Sequence, residues 1–213
     1  MSKGLKILAV MLCVFLLCTT VMACSGSREN AETDLDAQTE ITYENIDVEH
    51  YVKSIQYKGL TVAFDSMSET KADAVWNAVY ATAVLEGYPE EKVSYYFGQM
   101  KDSYMHYAGG DEEKYLLVLE AQGTSEEEML ADAERLVKED LVYEYIIKHE
   151  GIALTDGEKA ELFDKYVEKY STELGKTPEE VAASMEDYIY ESMLYDKTTE
   201  YLFTVNTFST KGN

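Results

Sequence analysis

The sequence predicts a mostly α-helical domain, and three observations indicate this fold class. Apolar residues recur at spacings of three and four from about residue 68 onward. Helix-start and helix-stop signals separate these stretches, and no proline interrupts any of them. Only one short stretch, from Leu60 to Phe64, alternates apolar and other residues as a strand does. We therefore expect a multi-helix bundle, either simple or with extended arms, preceded by one short N-terminal strand.

The beginning of the chain has the layout of a lipoprotein leader. Lys3 and Lys6 precede an apolar run over residues 7–18, which is too short to span a bilayer comfortably. Small residues follow and end in Ala23-Cys24, which resembles the lipobox of bacterial lipoproteins. This pattern predicts cleavage after Ala23, lipid attachment at Cys24 and anchoring at the extracytoplasmic face of the cell membrane. An ordinary signal peptide with an incidental cysteine is the alternative.

Composition divides the chain into four predicted segments. These are a signal peptide over 1–23, a flexible tether over 24–42, a strand-containing lead-in over 43–67 and a helical domain over 68–207. The tether is small, polar and charged without any apolar period, which is typical of a disordered linker.

The charge of the chain excludes several partners. It carries 18 basic and 41 acidic residues, for a net charge of −23, and the leader itself contains two lysines and no acid. An acidic body offers no basic face to phosphates, so nucleic acid is excluded as a partner. The same charge repels anionic lipid headgroups, so membrane contact is expected through the lipid anchor only. All three cysteines lie in the first 24 residues, which leaves the mature body no disulfide and no cysteine-bound metal.

Six helices are predicted from their boundary signals. Ser68 or Thr70 can cap the first, and Pro89 opens the second, which the glycine pair 109–110 ends. The third ends at Gly123. Capping boxes open the fourth and fifth, and a similar signal opens the last: Thr124 with Glu127, Thr155 with Glu158, and Thr177 with Glu180. The apolar stripe of the third helix consists of Tyr115, Leu116 and Leu119, and the fourth helix has a broad apolar arc that suits more than one neighbour.

Signatures of catalysis are missing from the sequence. The three histidines, His50, His106 and His149, are far apart and lack metal-ligand spacing. No nucleophile elbow, phosphate loop or calcium loop is present. Glutamates in the first helical turns are explained by the helix dipole. We therefore expect no enzyme activity, no cofactor and no bound metal.

The chain is unusually rich in tyrosine and methionine. The chain has 18 tyrosines but only 6 phenylalanines. Tyrosine combines apolar area with a polar tip, and methionine adapts to irregular shapes, so both suit a surface that accepts many peptides. Packing at the margin of the core is the alternative for each residue. The predicted substrate-binding residues are Tyr95, Met105, Tyr143, Tyr145, Tyr190 and Tyr201.

Four stretches resemble the C-terminal domain of trigger factor, in particular of exported trigger-factor-like lipoproteins of Gram-positive bacteria. They are residues 81–93 (ATAVLEGYPEEKV), 123–128 (GTSEEE), 141–156 (LVYEYIIKHEGIALTD) and 188–197 (YIYESMLYDK). The resemblance implies a SurA-like, peptide-cradling helical fold and a chaperone-like protein that binds unfolded or newly exported polypeptides without catalysis.

The chain also departs from that family. Only a few residues separate Val62 from the first helix, so no FKBP-type prolyl isomerase domain fits there, and the basic ribosome-docking loop is missing. We therefore expect no ribosome as a partner. Two alternatives stay open, namely a structural or adaptor lipoprotein that docks one dedicated partner, and a prolyl isomerase.

Overall fold

The computed structural model describes residues 46–210, and these residues form eight helices and four short strands. The order along the chain is α1 (Val48–Tyr51), β1 (Val52–Ser54), β2 (Thr61–Phe64), α2 (Lys71–Thr82), β3 (Val84–Leu85), α3 (Glu90–Tyr107), α4 (Glu112–Gln122), α5 (Glu126–Glu150), α6 (Asp156–Leu174), α7 (Pro178–Ser184), α8 (Glu186–Val205) and β4 (Thr207–Thr210). The mostly α-helical fold class is therefore confirmed. Among these helices, none is both long and apolar enough to cross a membrane.

The described part of the chain divides into two compact units. The first unit comprises residues 46–53 and 85–141, and the second comprises residues 54–84 and 142–210. The chain passes between the units within β1, β3 and α5, so neither unit is one continuous segment.

The second unit is built around a tryptophan on α2. Trp76 is 2% exposed, and its ring stacks against the rings of Tyr80 and Tyr195, with a centroid distance of 5.4 Å to each. Its indole N–H donates a hydrogen bond of 2.8 Å to the hydroxyl of Thr199 on α8. The buried residues packed in the same core are Val62, Ala74, Val75, Val79, Ala83, Val142, Ile146 and Leu202. Strand β2 and three helices therefore share one aromatic core, because residues of α2, α5 and α8 meet at this ring and half-buried residues pack around it.

A two-stranded parallel sheet closes the second unit. β2 pairs with β4 in a register that places Thr61 opposite Thr207 and Phe64 opposite Thr210. The pairing depends on Asn206, which is 8% exposed and lies between α8 and β4. Its side-chain oxygen accepts from the Leu60 N–H at 2.8 Å, and its amide group donates to the carbonyls of Tyr57 and Leu202 at 2.9 Å each. One buried amide thus connects the lead-in to the end of the last helix.

Most helix boundaries agree with their sequence signals, and one start is shifted. Thr70, Thr155 and Thr177 each form a capping box with the residue three positions later. The start of α5 differs, because the Glu128 N–H donates to the hydroxyl of Ser125 at 3.2 Å. The predicted box of Thr124 with Glu127 is therefore wrong by one residue, since Ser125 offers the same capping chemistry one position later.

The last predicted helix is two helices in the structure. α7 ends at Ser184 and α8 begins at Glu186, with Met185 between them at φ −133° and ψ 18°. The Ser184 hydroxyl donates to the carbonyl of Glu180 at 2.7 Å, a contact that competes with the helical ladder and bends helices. Met185 itself is 9% exposed, so the break places its side chain among buried neighbours.

Candidate functional site

The first unit has a small core where α3, α4 and α5 meet. The buried members are Ala108, Tyr115, Leu119 and Met129, and the half-buried residues Phe97, Met100, Tyr104, Met105 and Val118 pack against them. Tight connections hold these helices together, because Gly109 and Gly110 lie at φ 68° and 77° between α3 and α4. Residues with side chains rarely adopt such angles, so both glycines are required at this turn.

A polar tie joins the three helices beside this core. Glu126, at the start of α5, accepts hydrogen bonds from Lys101 at 3.1 Å and from the Tyr115 hydroxyl at 3.0 Å. The Lys101 ammonium also lies 5.5 Å from the centre of the Tyr115 ring. Burial and then the bond to Glu126 raise the pKa of Tyr115 to about 12, so this tyrosine stays a neutral donor at physiological pH. The tie fixes which face of α4 points inward.

The opposite side of α4 leaves leucines exposed. Leu116 is 62% exposed and Leu117 is 63% exposed, whereas Tyr115 and Leu119 beside them are buried. Successive residues in an α-helix are about 100° apart, so Leu116 and Leu117 point away from the side that Tyr115 and Leu119 occupy. We call Leu116 and Leu117 the leucine face. Tyr107 on α3 (66%) and Leu130 on α5 (44%) are further large apolar side chains exposed in this unit.

The leucine face is unusual because the large apolar side chains of a helix normally face the core. Glu112, Glu113 and Glu120 on the same helix are exposed beside it. These carboxylates keep an apolar surface soluble without covering it. The leucine face is therefore a candidate contact surface for apolar groups of another molecule.

The sequence assigned Leu116 to the buried stripe of this helix and did not single out Leu117. The structure corrects the first assignment, because Leu116 lies outside the core. The signal that could have found both is the run of five apolar residues over 115–119, which is too long for one face of a helix.

The six predicted substrate-binding residues are divided between the two units, and all of them are half-buried. In the first unit, the Tyr95 ring lies 5.4 Å from that of Tyr96, and Met105 packs on the small core. In the second unit, Tyr190 contacts the Phe163 ring at 5.4 Å, with the Lys159 ammonium 5.0 Å from its own ring centre.

The other three predicted residues have internal partners in the second unit. Tyr143 lies 5.9 Å from both Trp76 and Tyr195, and burial raises the pKa of its hydroxyl far above its usual value. The Tyr145 ring stacks on His149 at 4.2 Å. Tyr201 donates a short hydrogen bond to Glu150. A role of these six residues in substrate binding stays a prediction.

Glu150 gathers three donors at the end of α5. Lys58 lies 2.8 Å from its carboxylate, the Tyr57 hydroxyl donates at 2.6 Å, and Tyr201 donates to the second oxygen. These contacts, led by Lys58, lower the pKa of Glu150 to about 2. This cluster attaches the lead-in to the helices of the second unit and is a structural contact.

The predicted lipid-attachment residue, Cys24, and the predicted cleavage residue, Ala23, lie outside the described residues. Within residues 46–210, no group of three or more His, Cys, Asp or Glu residues could hold a metal ion. The described residues therefore form a helical protein with an exposed apolar surface on its first unit.

The comparison with family models identifies the family. The model described as bacterial trigger factor protein (TF) C-terminus matches residues 67–204, and the chain belongs to this family. Membership supports a chaperone-like, polypeptide-binding role in general, with unfolded polypeptides as substrates. No curated protein and no solved structure matches the chain.

Proposed function

We propose that this protein is an exported, lipid-anchored chaperone-like protein that binds unfolded polypeptides at the extracytoplasmic face of the cell membrane without catalysis. The single observation that carries the proposal is the leucine face, because Leu116 and Leu117 are more than 60% exposed in a member of a polypeptide-binding family. Apolar side chains of an unfolded chain would bury this area and lose contact with water.

The leader sequence supports export and anchoring. Its two lysines, short apolar run and Ala23-Cys24 ending are typical of a lipoprotein precursor. One lipid chain gives only marginal membrane attachment, whereas two or more chains anchor stably. The diacylglycerol of a lipoprotein would therefore hold the protein at the membrane surface.

The short connection between β2 and α2 supports a function without prolyl isomerisation. β2 ends at Phe64 and α2 begins at Lys71, so residues 65–70 are all that separates them. Six residues cannot contain an additional catalytic domain. Binding and release through a shallow apolar face need neither a nucleotide nor a covalent step.

The decisive experiment measures whether the leucine face suppresses aggregation. Residues 24–213 are added in several-fold molar excess to a chemically unfolded reporter protein, and light scattering follows its aggregation. We expect the wild type to slow aggregation and Leu116→Ser/Leu117→Ser to lose most of this effect, since two exposed apolar contacts are replaced by hydroxyls.

The matched control is Glu112→Gln/Glu113→Gln, which alters two exposed residues of the same helix without touching the leucines. This control should retain the wild-type effect. A wild type that fails to slow aggregation contradicts the proposal. A single strong interactor recovered from membranes, without any general effect on aggregation, would instead establish an adaptor lipoprotein.

Anchoring is tested separately in cells. Metabolic labelling with a clickable fatty acid should label the protein, and Cys24→Ser should abolish the label and release the protein from the membrane fraction. Labelling that survives Cys24→Ser would show that this cysteine is not the attachment site.

A further inference from the structure

The leucine face has an apolar complement within the chain itself. The predicted leader contains an apolar run over residues 7–18 that has no charged or amide side chain, and Lys3 and Lys6 precede this run. On α4, Leu116 and Leu117 are 62% and 63% exposed. A precursor that keeps its leader therefore carries two apolar surfaces, and both lose contact with water if they meet.

The charges around the two surfaces are also complementary. All three glutamates of α4 are exposed beside the leucines, and the lysine of this helix, Lys114, forms an ion pair with Asp111 at 3.0 Å. The helix thus presents leucines next to negative charge, whereas the leader presents an apolar run next to two lysines. Opposite charges orient such a contact, while the apolar area contributes most of its affinity.

The connection between the leader and the leucine face is long enough for the two to meet. Residues 19–45 follow the apolar run, and the described chain begins at Ile46, in the unit that also contains α4. Fully extended, residues 19–45 would span about 90 Å. The longest described helix, α5, has 25 residues and is therefore about 37 Å long. Chain length does not prevent the contact.

We propose that the leader of the uncleaved precursor docks on the leucine face of its own chain and excludes other polypeptides from it. The inference rests on the proposed function, because it needs both the leucine face and a leader that is removed after Ala23. Cleavage then frees the face, so the protein binds other polypeptides only after export.

Linkage within one chain makes even a weak contact effective. A linker of this kind gives an effective concentration on the order of 1 mM. A contact with a dissociation constant of about 0.1 mM between separate molecules would then be about 90% formed within the precursor. The affinity of the precursor for another polypeptide falls about tenfold, because only the remaining fraction has a free leucine face.

The test compares the full chain, residues 1–213, with residues 24–213. Fluorescence anisotropy measures the binding of a fluorescent, leucine-rich peptide to each protein under reducing conditions. We expect the full chain to bind the peptide about tenfold more weakly. In the full chain, Leu12→Ser/Leu16→Ser should restore the affinity of residues 24–213, because it makes the leader more polar. The matched control, Leu12→Ile/Leu16→Ile, keeps an apolar leader and should keep the weak binding.

Photo-crosslinking locates the contact. In the full chain, p-benzoylphenylalanine replaces Leu117, and mass spectrometry of the digested protein should find crosslinks to residues 7–18. The same group at Glu168, which is exposed on α6 of the second unit, is the control and should not crosslink to the leader. A mixture of isotope-labelled and unlabelled chains should give crosslinks within one copy only. Crosslinks between copies would overturn docking within one chain.

The outcomes separate this inference from the proposed function. Equal peptide affinity of the two proteins, or no crosslink from position 117 to the leader, overturns the inference and leaves the proposed function standing. A tenfold difference that persists in Leu12→Ser/Leu16→Ser also overturns it, since the apolar run would then not be the cause. If residues 24–213 fail to bind the peptide, the proposed function is contradicted, and the crosslinks decide by themselves whether the leader docks.

Discussion

The two units of this protein differ in where they place their large apolar residues. The second unit surrounds Trp76 with tyrosine rings and attaches its lead-in through buried polar contacts. The first unit has its small core on one side of α4 and leaves Leu116 and Leu117 exposed on the other. Aromatic content alone therefore does not locate a binding surface. Here most of the described tyrosines are at least half-buried, and three of the four large exposed apolar residues of the first unit are leucines, the fourth being Tyr107.

The largest expected effect tests the aromatic core of the second unit. Trp76→Ala should lower the free energy of unfolding by about 3–5 kcal/mol, because it removes a buried ring and leaves a cavity. Urea unfolding followed by far-UV circular dichroism measures the change. Trp76→Phe keeps a ring but loses the donor to Thr199, so a smaller loss of about 1 kcal/mol is expected. Equal stability of wild type and Trp76→Ala would remove the basis of the comparison.

The next effect concerns the cluster at Glu150. Glu150→Gln should lower the free energy of unfolding at pH 7 by about 1–3 kcal/mol, because three donors lose a charged acceptor. The exposed Glu113→Gln is the control and should change little. Urea unfolding at pH 7 measures both variants.

The same cluster makes a prediction about pH. The pKa of Glu150 is lowered from 4.5 to about 2 by folding, so its contribution is complete above the unfolded value and is lost as the pH falls through the folded one. The difference in unfolding free energy between wild type and Glu150→Gln should therefore shrink between pH 5 and pH 2. A difference that stays constant over this range would contradict the lowered pKa.

A smaller effect concerns the cap of α4 in the first unit. The Asp111 side chain accepts from the backbone N–H groups of Glu113 and Lys114 at 3.0 and 3.1 Å. Asp111→Ala should lower the melting temperature because the helix loses its cap, whereas Asp111→Asn preserves an acceptor and should lower it less. Differential scanning calorimetry measures both. If the alanine variant also weakens peptide binding, the cap helps to hold the leucine face in place.

Local signals predicted much of the fold because they depend on neighbours in sequence. Thr155 and Thr177 cap their helices as predicted, since a capping box lies within four residues. The pairing of β2 with β4 could not be predicted, because the two strands are more than 140 residues apart and Asn206 is a single polar residue in the sequence. The break at Met185 could not be predicted for a related reason. Ser184 resembles an ordinary helical residue in the sequence, and only the structure shows that its hydroxyl donates to the carbonyl of Glu180.

The site was less predictable than the fold. Tyrosines are predicted to bind substrate because they suit a peptide-binding surface. A tyrosine at the edge of a hydrophobic core, with its hydroxyl bonded to another residue, fits the same chemistry equally well. Tyr201 has such a partner in Glu150. The leucine face was missed because a helical stripe assigns Leu116 to the core when Tyr115 and Leu119 are the true inner residues. Which side of a short apolar helix points inward depends on tertiary contacts, here the tie through Glu126.

Two leucines of α4 should differ in how much they stabilise the fold. Leu117 and Leu119 are two residues apart on one helix, with exposures of 63% and 4%. Leu117→Ser should leave the free energy of unfolding within about 0.5 kcal/mol of wild type, because the side chain already lies in water. Leu119→Ala should cost about 2–5 kcal/mol, because it empties part of the small core. Urea unfolding distinguishes them, and a large loss for Leu117→Ser would mean that a neighbouring surface covers this leucine in solution.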